Sequence, residues 1–183
     1  MDNKLRNKKV AILVTHGFEW SEFNTPFQAL KKEGAEVDII SLKKDKIKSW
    51  KDKNWGEEIE ATQEITSVKA EAYDALVLPG GVMNPDLLRV NTDVITFVKH
   101  FMLEDKPVAA ICHGAWTLIE TGLLKGRKMT SWPSLKTDLQ NAGVNWVDQE
   151  VVVDNGLVTS RKPDDLDAFC DKVIEEISEG VHH

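Results

Sequence analysis

Pro107-Val-Ala-Ala-Ile-Cys112-His113-Gly114-Ala-Trp-Thr-Leu-Ile-Glu-Thr-Gly122 is the stretch on which the fold turns. Val108 to Ile111 is a short, uniformly apolar run behind a proline, the pattern of a strand buried on both faces of a parallel sheet. Ala115, Leu118 and Ile119 then recur at helical spacing, and Gly122 supplies a C-terminal cap. Cys112 therefore falls where a strand turns sharply into a helix. The unpaired N–H groups and partial positive charge of a helix start favour a thiolate there. A free cysteine is otherwise most often a small buried hydrophobe. A titratable His113 beside it, inside a strand–turn–helix, favours the nucleophile reading.

Working outward, Val10 to Thr15 is a second apolar strand, followed by the loop His16-Gly17-Phe18-Glu19. A helix is predicted from about Glu22 to Glu33, with Phe23, Phe27 and Leu30 as its apolar stripe and Pro26 near its first turn. Glu36 to Leu42 and Ala75 to Leu78 are further strands, the latter running into Pro79-Gly80-Gly81. Lys43 to Gly56 reads as a polar surface excursion whose Trp50 and Trp55 cover a core edge or an interface, with an interface favoured. Asp154-Asn155-Gly156 marks a hairpin turn between Trp146–Val153 and Leu157–Ser160. The last helix, Pro163 to about Ser178, turns Cys170 toward the core, where it is expected to be structural.

Alternating strands and helices of this kind predict an α/β fold: a three-layer α/β/α sandwich with a flavodoxin-like, doubly wound, mostly parallel sheet. One domain is expected over residues 1–183, with a core from about 8 to 178 and tails at 1–7 and 179–183. His182 and His183 are read as a purification-tag remnant.

The chain has 183 residues and a formal net charge of −7, which argues against a nucleic-acid partner. No apolar run reaches the length of a membrane span, and the N-terminus has no secretory pattern, so no membrane partner and a cytoplasmic location are expected. Cys112 and Cys170 have no metal-ligand or disulfide-framework spacing, and both are expected to be free thiols with no metal and no cofactor.

In an open α/β sheet, ligands bind beyond the carboxyl ends of the strands. His16-Gly17-Phe18-Glu19, Gly80-Gly81 and Cys112-His113 all leave strand ends and are expected to converge on one crevice. A carboxyl beside Cys112 raises the thiol pKa when ionised, and donates a hydrogen bond to the thiolate when burial keeps it protonated. Glu19 is either that group or an exposed acid at a helix start.

Gly17-Phe18-Glu19, Ala75-Leu-Val-Leu-Pro-Gly-Gly81, Asn84-Pro85-Asp86, Lys106-Pro-Val-Ala-Ala-Ile-Cys-His-Gly114, Thr130-Ser-Trp-Pro133 and Val158-Thr-Ser-Arg161 together resemble the PfpI-type proteins, often called intracellular peptidases. Their superfamily includes the parkinsonism-associated protein deglycase and shares the class I glutamine amidotransferase fold. The resemblance implies that Cys112 is the nucleophile, Glu19 its hydrogen-bonded acid and His113 the general base. It implies that an acid from a neighbouring subunit of a homodimer or hexamer orients His113. The matching residue here is Asp86, where PfpI proteins carry glutamate. It also implies an oxyanion hole from the backbone N–H groups of Gly81 and His113. The expected activity is a glutathione-independent glyoxalase or deglycase acting on small carbonyls or their glycated adducts. The alternatives are a cysteine peptidase of small peptides and a non-enzymatic redox sensor or chaperone.

Overall fold

The computed structural model describes residues 3–180; His182 and His183 lie outside them. Lys9–Leu13 forms β1, with Val10 and Ile12 facing one layer of helices and Ala11 and Leu13 the other. The chain continues through α1 (Trp20–Lys32), β2 (Glu36–Ser41), β3 (Lys46–Lys51), β4 (Asn54–Glu60) and β5 (Gln63–Glu64). Then come β6 (Ala75–Leu78), α2 (Met83–Arg89), α3 (Thr92–Leu103), β7 (Val108–Ile111) and α4 (Ala115–Ile119). The C-terminal part holds β8 (Lys128–Met129), α5 (Lys136–Asn141), β9 (Asn145–Trp146), β10 (Val151–Asp154), β11 (Leu157–Ser160) and α6 (Leu166–Glu179).

The main sheet has seven strands in the order β10-β11-β7-β6-β1-β2-β5, all parallel except the β10–β11 hairpin. Counted in chain order, its six parallel strands run 3-2-1-4-5-6, and the order reverses between β1 and β6. That reversal opens a crevice at the carboxyl ends of the strands. One core lies between the sheet and α3, α4 and α5; the other lies under α1 and α6. The two cores confirm the three-layer, mostly parallel architecture.

The hairpin strand expected over Trp146–Val153 covers only Val151–Asp154, because Trp146 pairs with Met129 of β8 instead. Three further local details differ from the sequence-based expectations. First, Lys43 to Gly56 is not an irregular excursion: β3 and β4 form a separate antiparallel hairpin. Its turn places Asp52 and Lys53 at φ 50 and 63, the left-handed pair that a tight two-residue turn requires. Trp50 and Trp55 face each other across it, rings edge-on at 5.5 Å. Second, α1 starts at Trp20, so Pro26 lies in its second turn and removes the bond that would end on the Glu22 carbonyl. Third, Leu5, placed by the sequence in a tail, is fully buried and its N–H donates to the Glu33 carbonyl.

Candidate active site

β7 is buried at every position and ends at Ile111. The next residue, Cys112, sits at φ 60, a left-handed conformation that costs a non-glycine residue roughly 1–2 kcal/mol. The strain is held by neighbours on both sides. The Trp132 N–H donates to the Cys112 carbonyl at 3.3 Å, and Gly114 lies so close to the Leu78 and Pro79 carbonyls that no β-carbon fits. Cys112 is thereby presented at the sheet's carboxyl edge, only 7 % exposed.

Three kinds of group surround its sulfur. The backbone N–H groups of His113 and Gly81 both hydrogen-bond to it and pull its pKa down. His113 Nδ1 lies 3.2 Å from Sγ. The third is the carboxyl of Glu22, which is hydrogen-bonded to Cys112 and accepts the Gly80 N–H at 2.8 Å through Oε2. Glu22 is 1 % exposed, and burial raises its pKa to about 8. A protonated Glu22 is thus the state favoured at neutral pH, and a protonated carboxyl can donate to a thiolate. Burial first, and the Glu22 charge second, push the Cys112 thiol upward. Once Glu22 carries its proton, that repulsion becomes a hydrogen bond.

This arrangement corrects the expectation for Glu19. Glu19 precedes α1 and is only half-buried; its N–H donates to the Gly80 carbonyl at 3.3 Å. Burial raises its pKa, and Asp52 on the hairpin turn adds to the effect, but no hydrogen bond joins it to Cys112. The physical reason is helical register. Glu22 lies one turn further on, and Glu22, Pro26 and Leu30 form a buried stripe at four-residue spacing. The carboxyl at the first position of that stripe points into the crevice. Gly80 completes the fit, since any side chain there would run into Glu22 and Cys112.

His113 is 8 % exposed, and burial lowers its pKa, so the neutral imidazole is favoured. Its ring stacks near Trp132 at 6.0 Å and meets Trp116 edge-on at 5.0 Å. Nε2 lies 3.5 Å from Ser134 Oγ. Asp86 is exposed on α2, and among the described residues its carboxylate has no hydrogen-bond or ion-pair partner. Within one chain the structure therefore does not bring Asp86 to His113. A further residue was not singled out from sequence: Asn84 is fully buried, accepts the Thr15 N–H at 2.8 Å and donates to the Pro79 and Gly80 carbonyls at 3.1 Å. It ties the end of β1 to the loop that carries Gly80 and Gly81.

Among the described residues no group of three or more His, Cys, Asp or Glu side chains is placed to hold a metal ion, and no helix is long and apolar enough to cross a membrane. Both cysteines are free. A buried thiol flanked by a neutral imidazole, a protonated carboxyl and two converging N–H groups can add to an electrophilic carbon and move a proton on and off the resulting oxygen.

The chain is similar to several known proteins. The chain is 45% identical over 163 residues to a Bacillus subtilis protein named "Putative cysteine protease YraA", covering 89% of this chain and 94% of the relative. It is 44% identical over 164 residues to protein/nucleic acid deglycase 2 of Escherichia coli, covering 89% and 94%. Among solved structures, Drosophila melanogaster DJ-1beta superposes with a TM-score of 0.86 at 27% identity, covering 93% of this chain and 90% of that one. The family model described as DJ-1/PfpI matches residues 8–176. With the sheet order, the elbow and the matched span in agreement, the chain belongs to the DJ-1/PfpI family.

Proposed function

We propose that the protein is a cysteine-nucleophile enzyme acting on small reactive carbonyls or their adducts, a glutathione-independent glyoxalase or deglycase. The observation that carries this reading is the cluster at Cys112: His113 Nδ1 lies 3.2 Å from the sulfur, and the buried Glu22 carboxyl, whose pKa burial raises, is hydrogen-bonded to it. An aldehyde needs just such a nucleophile, a base and an acid.

With methylglyoxal, Sγ bonds to the aldehyde carbon while the thiol proton passes to His113 Nδ1. The carbonyl oxygen gains charge, which the Gly81 and His113 N–H groups turn from the sulfur to stabilise in this reading, and takes the Glu22 proton to give a hemithioacetal, leaving Glu22 ionised and the thiol proton on His113. Glu22, in its ionised form, removes the proton from the first carbon. The electrons move to the neighbouring ketone, and returning that proton to the second carbon yields a lactoyl thioester. Water cleaves the carbon–sulfur bond, releasing lactate and the thiol. For a hemiaminal adduct, the carbon–sulfur bond forms as the carbon–nitrogen bond breaks, the amine leaves with the thiol proton relayed by His113, and the same hemithioacetal and thioester follow. The orienting acid for His113, in this reading, is Asp86 of a neighbouring copy in a homo-oligomer, supported by its exposed and unpartnered carboxylate. The name of the Escherichia coli relative, a deglycase, also supports adducts as substrates.

The test is lactate production from methylglyoxal without glutathione. Wild-type protein is expected to turn it over, and Cys112→Ser to abolish it. Turnover that survives Cys112→Ser overturns the reading. Cleavage of a chromogenic peptide that depends on Cys112, with no lactate formed, favours a peptidase instead.

A further inference from the structure

His113 has two ring nitrogens, and only one of them faces the nucleophile. Nδ1 lies 3.2 Å from Cys112 Sγ. Nε2 is turned toward Ser134, whose Oγ at 3.5 Å is its only hydrogen-bond partner among the described residues. The indoles of Trp132 and Trp116 pack against the rest of the ring.

Ser134 is held in register with the elbow. It follows Pro133 in a single 3₁₀ turn, Pro133–Leu135. The Trp132 N–H ties the start of that turn to the Cys112 carbonyl at 3.3 Å, and the Trp132 carbonyl accepts the Leu135 N–H at 3.0 Å. Leu135 is fully buried, which anchors the far end. The segment that carries the Ser134 hydroxyl is thus fastened to the residue that carries the sulfur.

A neutral imidazole has one ring proton, so the partner of one nitrogen decides what the other can do. The sulfur is met by the Gly81 and His113 N–H groups and by the Glu22 carboxyl. With Glu22 protonated, Nδ1 is the one group there left to accept the thiol proton. It can do so only while the ring proton sits on Nε2, where the Ser134 oxygen is placed to accept it.

We propose that Ser134 is a positioning residue for His113: its hydroxyl holds the ring proton on Nε2 and leaves Nδ1 bare toward Cys112. When Nδ1 takes the thiol proton, the ring becomes an imidazolium and its Nε2–H a stronger donor, so the contact with Ser134 shortens. The hydroxyl therefore helps the charged ring more than the neutral one, and its effect falls on kcat. A hydroxyl accepts and donates at once. Its own proton remains for the Asp86 carboxylate of a neighbouring copy, so the two roles do not compete. The rate effect rests on the proposed carbonyl chemistry; the position of the ring proton does not.

That position is read by NMR on full-length protein with ¹⁵N-labelled histidine, because protonated and bare ring nitrogens resonate far apart. The His113 signals are those lost in His113→Gln. Near neutral pH, where burial favours the neutral ring, wild type is expected to show Nε2 protonated and Nδ1 bare. Ser134→Ala should move the two shifts toward each other as both tautomers become populated, and Ser134→Thr should keep the wild-type pattern. With methylglyoxal, Ser134→Ala is expected to lower kcat about tenfold and change KM less than about twofold, and Ser134→Thr to recover most of the loss. Ser134 is exposed, so the change to alanine leaves the core intact. A proton on Nδ1 in wild type, or the same shifts in wild type and Ser134→Ala, overturns the proposal whether or not methylglyoxal is consumed. A tautomer shift in Ser134→Ala, with no turnover by wild type, supports the proposal and overturns the carbonyl reading alone.

Discussion

The two cysteines make an instructive pair, because by exposure they are the same residue. Cys112 and Cys170 are each 7 % exposed, and burial pushes both thiols upward, Cys170 to about 12. What separates them is the backbone and the donors. Cys170 sits in the middle of α6, on the face that buries Leu166, Phe169 and Val173, and the nearby charges of Asp171 and Asp167 raise its pKa further. Cys112 sits at φ 60 on a turn, with two N–H groups, an imidazole nitrogen and a protonatable carboxyl around its sulfur. Burial alone makes an inert thiol; burial with donors already in place makes a nucleophile whose charged form has somewhere to go.

The largest expected effect tests that distinction directly. Cys112→Ser should cost at least about a thousandfold in kcat/KM for methylglyoxal, while Cys170→Ser should stay within about threefold. Comparable losses at the two positions would erase the contrast. Glu22→Gln comes next, with an expected loss of about a hundredfold, the scale of general acid–base assistance. Glu19→Gln is expected to change the rate less than about threefold, and the reverse ranking would return the acid role to Glu19.

The next effect is on stability rather than rate, a dependence on pH. The Glu22 pKa is raised from 4.5 to about 8 in the folded protein, so between those values the folded state holds a proton that the unfolded chain has released. The stabilisation from this proton is full below the unfolded pKa and is lost as pH rises through the folded one, by up to roughly 1.4 kcal/mol per pH unit. Denaturant midpoints should therefore fall from pH 5 to pH 8 in wild type, and fall less steeply in Glu22→Gln. Parallel slopes would mean that Glu22 is ionised in the folded protein. The smallest effect is expected at Cys170→Ala, a loss of roughly 1 kcal/mol from a thinned core contact, with the native alkylation rate of Cys112 unchanged.

Much of this was legible in the sequence, for identifiable reasons. The buried strands announce themselves as short apolar runs, and Pro107 to Gly122 reads as strand, turn and helix without help from the rest of the chain. Glu22 was harder to see. Starting α1 two residues late moves Pro26 to the helix start and assigns the apolar stripe to Phe23, Phe27 and Leu30. Starting it at Trp20 shows Glu22, Pro26 and Leu30 on one buried face, and a carboxyl on such a face is itself a signal. The hairpin was hidden for another reason. Its lysines obscure the alternation of buried Ile47 and Ser49, and its turn is Asp52-Lys53 rather than a glycine-bearing pair. The distance between Cys112 and His113 depends on the left-handed residue at the elbow, which no local propensity forecasts.

That left-handed residue also sets stability and chemistry against each other. Glycine adopts φ 60 without penalty, so replacing Cys112 with glycine relieves strain where β7 turns toward α4. Selection acting on folding alone would favour such a change and leave a sound but inert fold. A cysteine held at that angle is therefore a mark of selection for what the sulfur does.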